Sequence, residues 1–132
     1  MATLRLEVVT PDKKVVDEDV EMVTCPGTEG EFGVLPHHVS LLSALKIGPL
    51  VYKKDGKDKS VFINGGFADV NNNKCSVLAE SAEKAEDIDK ARAEEAKKRA
   101  EKRLAEKKED LDEARAILAL QRAVMRLNVA SY

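Results

Sequence analysis

Hydrophobic positions along this chain repeat with two different periods, and the change falls near residue 80. In the first half they alternate. Leu4, Leu6 and Val8 share one face and Thr3, Arg5 and Glu7 the other; Val61 and Ile63, then Cys75, Val77 and Ala79, repeat the pattern. A period of two places alternate side chains on opposite faces of a strand. Turn-forming clusters separate the runs: Pro11-Asp12, Asp55-Gly56, Asn64-Gly65-Gly66 and Asn71-Asn72-Asn73. Short strands punctuated in this way predict an antiparallel β-sandwich or barrel over residues 1–84.

Beyond that point the period becomes helical, and no Gly or Pro follows. The spacing predicts two helices within 85–132, one from about Ile88 to Ala105 and one from about Leu111 to Val129. The first has a small apolar row, Ile88, Ala96, Ala100 and Leu104. The second has a richer one, Leu111, Ala114, Leu118 and Met125, flanked by Ile117, Leu120, Val124 and Leu127. Asp87 or Asp89 suits the cap of the first helix, and Asp110 with Glu113 fits a capping box for the second. The connector Lys107-Lys108-Glu109-Asp110 holds no helix breaker. It permits either an antiparallel two-helix hairpin or one rod of about 40 residues, and a weakly punctuated arm of this kind suits two arrangements close in energy.

The six arginines of this half form two matched triplets. Arg92, Arg99 and Arg103 are spaced seven and four, and so are Arg115, Arg122 and Arg126. At 3.6 residues per turn each triplet falls within about 40° on its helix, giving one basic stripe per helix. Like charges four apart repel by a few tenths of a kcal/mol, so something must offset them. Three readings stand open: local acids (Asp89, Glu95, Glu101, Asp112, Glu113), an anionic ligand between the helices, or an acidic surface on a partner. The planar guanidinium fork suits phosphate and carboxylate alike. No glycine-rich phosphate loop precedes a helix, so a nucleotide site would be built from side chains.

Composition narrows the field. A net charge of -2, 4% aromatic residues and no Trp give neither a basic field nor stacking platforms for nucleic acid. No apolar run approaches the roughly 20 residues of a membrane span, and Met1 to Glu7 already alternates, unlike a signal peptide. An unexported protein is expected, with any membrane link made through a partner. Cys25 and Cys75 have no metal-ligand spacing; they read as two small buried side chains, with a disulfide as the alternative. His37 and His38 are adjacent and point apart in extended chain, a poor chelate. Ser40, His38 and an Asp could be assembled on paper, but no nucleophile turn marks them. No catalytic constellation is present, so an enzyme acting alone is not expected. Gly27, Gly30 and Gly33, set around Glu29, Glu31 and Phe32, read either as a loop with unusual backbone angles or as a protruding acidic contact loop.

Several segments in order resemble the epsilon subunit of bacterial and chloroplast F-type ATP synthases. They are Val9-Thr10-Pro11 with Val20-Glu21-Met22-Val23, then Gly30 to His38, Gly65-Gly66-Phe67-Ala68-Asp69-Val70, Ala85-Glu86-Asp87-Ile88-Asp89, and Arg115-Ala116 through Arg122-Ala123 to Arg126-Leu127. The resemblance spans essentially the whole chain. It implies a sandwich of about ten strands followed by the two helices. It also implies a non-catalytic subunit at the foot of the rotor, on the cytoplasmic face of the bacterial plasma membrane, its sandwich binding the gamma subunit and the c-ring. Glu31 matches a c-ring contact and His38 lies in the segment near gamma; His37 stands where the family usually has Gly, and Ser40 where Pro is common. The helical arm, when extended, is expected to block ATP hydrolysis, with Arg115, Arg122 and Arg126 facing acidic segments of the beta subunits. In some bacilli the folded arm binds regulatory ATP, with or without magnesium, without hydrolysing it. Ile88, Asp89, Arg92 and Arg99 match that motif, and Glu83, Ala93, Arg122 and Arg126 match its supporting positions. The alternative from a different class is a free-standing nucleotide-sensing or scaffold module acting through the hairpin alone.

Overall fold

The computed structural model describes residues 2–106 and 112–131. Among them are eight strands, β1 (Leu4–Val9), β2 (Lys14–Val20), β3 (Met22–Gly27), β4 (Gly30–Val34), β5 (Leu41–Lys54), β6 (Lys57–Asn71), β7 (Lys74–Ala79) and β8 (Ala82–Lys84), then helices α1 (Lys90–Glu106) and α2 (Glu113–Ala130). The strand order is β2-β1-β7-β6-β5-β3-β4, with β8 paired to β6.

Two long strands make this sheet a sandwich. β5 and β6 pair from Lys54↔Lys57 to Leu41↔Val70. Their hairpin turns at Asp55 (φ 52°) and Gly56 (φ 75°), the two positive dihedrals that match the twist of the flanking strands. Midway along β6, Gly65 (φ 73°) and Gly66 (φ 138°) bend the ribbon. The end of β6 then pairs with β7 and its start with β8. One layer holds β2, β1, β7 and one end of the ribbon; the other holds β8, its other end, β3 and β4. The expected ten strands thus appear as eight among the described residues, two of them passing through both layers. The sheet is also not wholly antiparallel: β1 runs parallel to β7, from Arg5↔Lys74 to Val9↔Leu78. Alternation along a strand reports which side chains share a face, and carries no information about the direction of the neighbouring strand.

The inward faces are those the alternation marked. Leu4, Leu6, Val8, Val61, Ile63, Cys75, Val77 and Ala79 are all buried in one cluster between the layers. Cys25 and Cys75 are free thiols inside it. The neighbouring Cys75 thiol, together with burial, pushes Cys25 well above its ordinary pKa. The glycine-marked segment is mostly strand rather than a loop: Gly30 (φ 124°) ends the β3–β4 turn, and Glu31 and Phe32 lie within β4.

His37 adopts φ 63° in the link from β4 to β5, and its N–H donates to Asn73 Oδ1 at 2.8 Å. A left-handed conformation costs a side-chain-bearing residue about 1–2 kcal/mol, partly offset because glycine loses more freedom on folding. His37→Gly keeps that N–H and is expected to raise stability by about 0.5 kcal/mol, read from the urea midpoint.

A second, smaller core joins the arm to the sandwich. Phe62 points out of the sheet, between the inward-facing Val61 and Ile63, and is buried against Ile88 and Val129, with Ile47, Met125 and Ala130 around them. Burying each of the large side chains contributes roughly 1.5–3 kcal/mol. Three buried residues in a row mark a strand covered on both faces, a signal present in Val61-Phe62-Ile63. No helix among the described residues is long and apolar enough to cross a membrane.

Candidate functional site

Each helix is started by an aspartate. Asp89 Oδ1 accepts the Arg92 N–H at 3.1 Å, and Asp112 Oδ1 accepts the Arg115 N–H at 3.0 Å. Both satisfy backbone donors that a helix start leaves open. Helix α1 therefore begins at Lys90, two residues later than expected. Ile88 lies before it, in extended conformation after a single 3-10 turn, Ala85–Asp87. The second cap, Asp112, lies two residues after the Asp110 of the expected capping box; Asp110, like the rest of the connector and Leu111, lies outside the described residues.

The buried faces of the helices match the expected apolar rows only in part: Ala100 is buried as expected, and Ile88 and Met125 pack in the second core. Ala93 and Ala100 are buried on α1, and Ala116, Ala123 and Val129 on α2, whereas Ile117 and Leu118 are 42% and 46% exposed. Alanines seven apart let the two backbones approach closely, so the small side chains take the contact and the large ones are left at its flanks. The first half of α1 lies beside the second half of α2, the antiparallel hairpin.

Where the alanines bring the helices together beside β8, a cleft of about 520 Å³ opens. Its lining includes Glu83, Asp89, Arg92, Ala93, Arg99, Arg122 and Arg126. Seven of the eight residues singled out for a nucleotide thus share one wall-to-wall space. The eighth, Ile88, turns its side chain into the Phe62 cluster instead and anchors the strand-to-helix link. Three further lining residues, Asp87, Ala96 and Ala119, were not among the expected set. The last two are where the space comes from, since a larger side chain there would fill it.

Arg126 is held from two sides. Its Nε donates to Glu83 Oε1 at 2.9 Å, and its guanidinium carbon lies 4.5 Å from the centre of the Phe62 ring. The other arginines are freer. Arg99 reaches Glu95 only at 4.0 Å, with both side chains mostly exposed. Arg92, Arg103, Arg115 and Arg122 make no ion pair among the described residues. Local acids therefore leave most of the basic stripes unneutralised. The remaining expected contact residues lie elsewhere: Arg115 is exposed on α2, Glu31 is exposed on β4, and His38 sits in the β4–β5 link with Nδ1 2.7 Å from the Val39 carbonyl.

A repeat underlies this arrangement. Asp89, Arg92, Ala93, Ala96, Arg99, Ala100 and Arg103 recur 23 positions later as Asp112, Arg115, Ala116, Ala119, Arg122, Ala123 and Arg126. The matched arginine spacings are one part of it. Extending the comparison to the alanines was the available signal for Ala96 and Ala119.

Residues 3–85 match the family of ATP synthase Delta/Epsilon chain β-sandwich domains, and residues 86–131 match the accompanying long α-helix domain. The chain belongs to the ATP synthase delta/epsilon family. Among its relatives, the ATP synthase epsilon chain of Lawsonia intracellularis is 54% identical over 129 residues, 98% of this chain and 97% of that one. That of Nitratidesulfovibrio vulgaris is 63% identical over 103 residues, 78% of this chain and 77% of that one. The fold superimposes on a chain of the Euglena gracilis mitochondrial ATP synthase OSCP/F1/c-ring structure with a TM-score of 0.83 at 27% identity, covering all of this chain and 83% of the other. As an epsilon chain it is a non-catalytic rotor subunit of ATP synthase.

Proposed function

We propose that this epsilon chain restrains ATP hydrolysis by the assembled synthase through its helical arm, and that ATP bound in the cleft stabilises the folded arm. The observation that carries this reading is the convergence of Arg92, Arg99, Arg122 and Arg126 on one cleft beside Glu83 and Asp89. Arg92 and Arg122 make no ion pair among the described residues and Arg99 only a long one; lining a space of nucleotide size, such guanidiniums suit a polyphosphate. In this reading the nucleotide is bound as a regulator and is not hydrolysed. In the extended arm Arg122 and Arg126, with Arg115, would face acidic segments of the beta subunits.

The sandwich supplies the other contacts in this reading. Leu42, Phe67 and Leu78 are 72%, 56% and 60% exposed on the outer face of one layer. Apolar surface of this kind is characteristic of a docking face, and gamma and the c-ring are its proposed partners, with Glu31 and His38 at their own contacts. The subunit would then be peripheral to the plasma membrane at its cytoplasmic face.

Titration calorimetry of ATP into the isolated chain tests the cleft. Saturable heat is expected from the intact protein, with at least about tenfold weaker binding in Arg99→Ala, because one bidentate charge-assisted contact is lost. No heat from the intact protein at millimolar ATP would sink the nucleotide reading. Truncation after Glu86 tests the arm: hydrolysis by the assembled enzyme should rise, and an unchanged rate would remove the regulatory role.

A further inference from the structure

We propose that the polyphosphate occupies this cleft without a magnesium ion, the arginines taking the place of the metal; this rests on the nucleotide reading above. The donor set of the cleft decides the matter. Three carboxylates line it, Glu83, Asp87 and Asp89, against four guanidiniums. Two of the carboxylates already have work: Glu83 Oε1 accepts from Arg126 at 2.9 Å, and Asp89 Oδ1 caps α1 at 3.1 Å. Asp87 makes no hydrogen bond or ion pair among the described residues. Among the described residues, no group of three or more His, Cys, Asp or Glu side chains gathers that could hold a metal ion. Magnesium is bound through one or two carboxylates together with phosphate oxygens and waters in a near-octahedral shell; here that share would fall to Asp87 and the second oxygen of Asp89, set among four guanidiniums.

The cations point the same way. Arg92 and Arg122 have no ion-pair partner among the described residues, and Arg99 has only the long contact to Glu95. Each presents a planar fork that binds two phosphate oxygens at once. Those are the oxygens a magnesium ion would bridge. A divalent cation placed there would meet three guanidiniums that lack a close ion-pair partner among the described residues, in a partly enclosed space where charges are screened less than in open water. The metal-free triphosphate carries more negative charge than its magnesium complex and suits the arginine set better.

Calorimetry with ATP in excess EDTA, repeated in excess magnesium chloride, tests this on the intact chain. The dissociation constant is expected to rise about tenfold or more with magnesium, as electrostatic contacts to the same oxygens are exchanged. Equal or tighter binding in magnesium overturns the inference while leaving the nucleotide reading in place. Absence of binding in both media overturns both. Asp87→Asn supplies a second arm. It should bind ATP in EDTA at least as well as the unaltered chain, and a selective loss of binding in magnesium would identify Asp87 as a metal anchor and overturn the inference.

Discussion

Gly66→Ala is expected to destabilise the protein by about 4 kcal/mol or to prevent folding, which places it among the severe single substitutions. Gly66 stands at φ 138°, a conformation essentially reserved for glycine. A β-carbon there would fall well inside contact distance of the Leu78 carbonyl oxygen and 2.9 Å from the Ala79 Cα. Both obstacles are backbone of the neighbouring strand, so no side chain can swing aside. Relief would require parting β6 from β7 where they pair, Gly66↔Ala79 and Phe67↔Leu78. Urea unfolding followed by circular dichroism would measure the loss. Gly56→Ala is a fitting comparison, because its β-carbon would meet open space and only its positive φ would be strained. A Gly66→Ala protein as stable as the Gly56→Ala protein would show that the bend in the ribbon does not depend on this close approach.

Arg126→Ala should loosen the arm by about 2 kcal/mol, summing a half-buried ion pair, a cation–π contact and the packing of its aliphatic stem. The pair with Glu83 leaves the two side chains 28% and 33% exposed, so it is screened less than an ordinary surface pair and more than a buried one. Amide exchange in the last two turns of α2 should accelerate about thirtyfold if that segment opens locally. Arg126→Met retains the stem and should recover part of the loss. The double substitution with Glu83→Gln isolates the charge pair. Unchanged exchange in Arg126→Ala would mean that the Phe62 cluster holds the arm unaided.

Much of this architecture is legible in the chain, and for a definable reason. Alternation at Leu4, Leu6 and Val8 and at Cys75, Val77 and Ala79 fixes which faces turn inward, because a half-buried strand tolerates no other pattern. Strand direction and strand breaks leave no such trace. The parallel β1–β7 pair and the bend that carries β5 and β6 through two layers therefore appear only in the fold. In the arm the arginine spacings were readable and the apolar rows only partly so: Ile88, Ala100 and Met125 pack as expected, Leu118 does not. Counting large side chains favours Leu118 and Ile117, whereas close helix packing selects Ala93, Ala100, Ala116 and Ala123. The convergence of Glu83 with the arginines depends on β8 lying beside the hairpin, a long-range contact that periodicity cannot encode. Phe62 was hidden for the same reason: its neighbours mark a strand buried on both sides without saying what covers the outer one.

The 23-residue correspondence also separates two traits of the arm. Positions shared by α1 and α2 include the cap, the arginines, the alanines and the Leu104/Leu127 pair. Most positions that differ are charged in α1, as in Glu101 and Lys102, and apolar in α2, as in Val124 and Met125. Met125 and Val129 belong to the contact with the sandwich; Arg99, Ala119 and Arg122 belong to the cleft. Substitution can therefore retune how firmly the arm rests on the sandwich without altering what the cleft holds, and the reverse. Arg126 alone among the cleft arginines sits in both sets, bound to Glu83 and stacked on Phe62. It is the position at which the two traits cannot evolve independently.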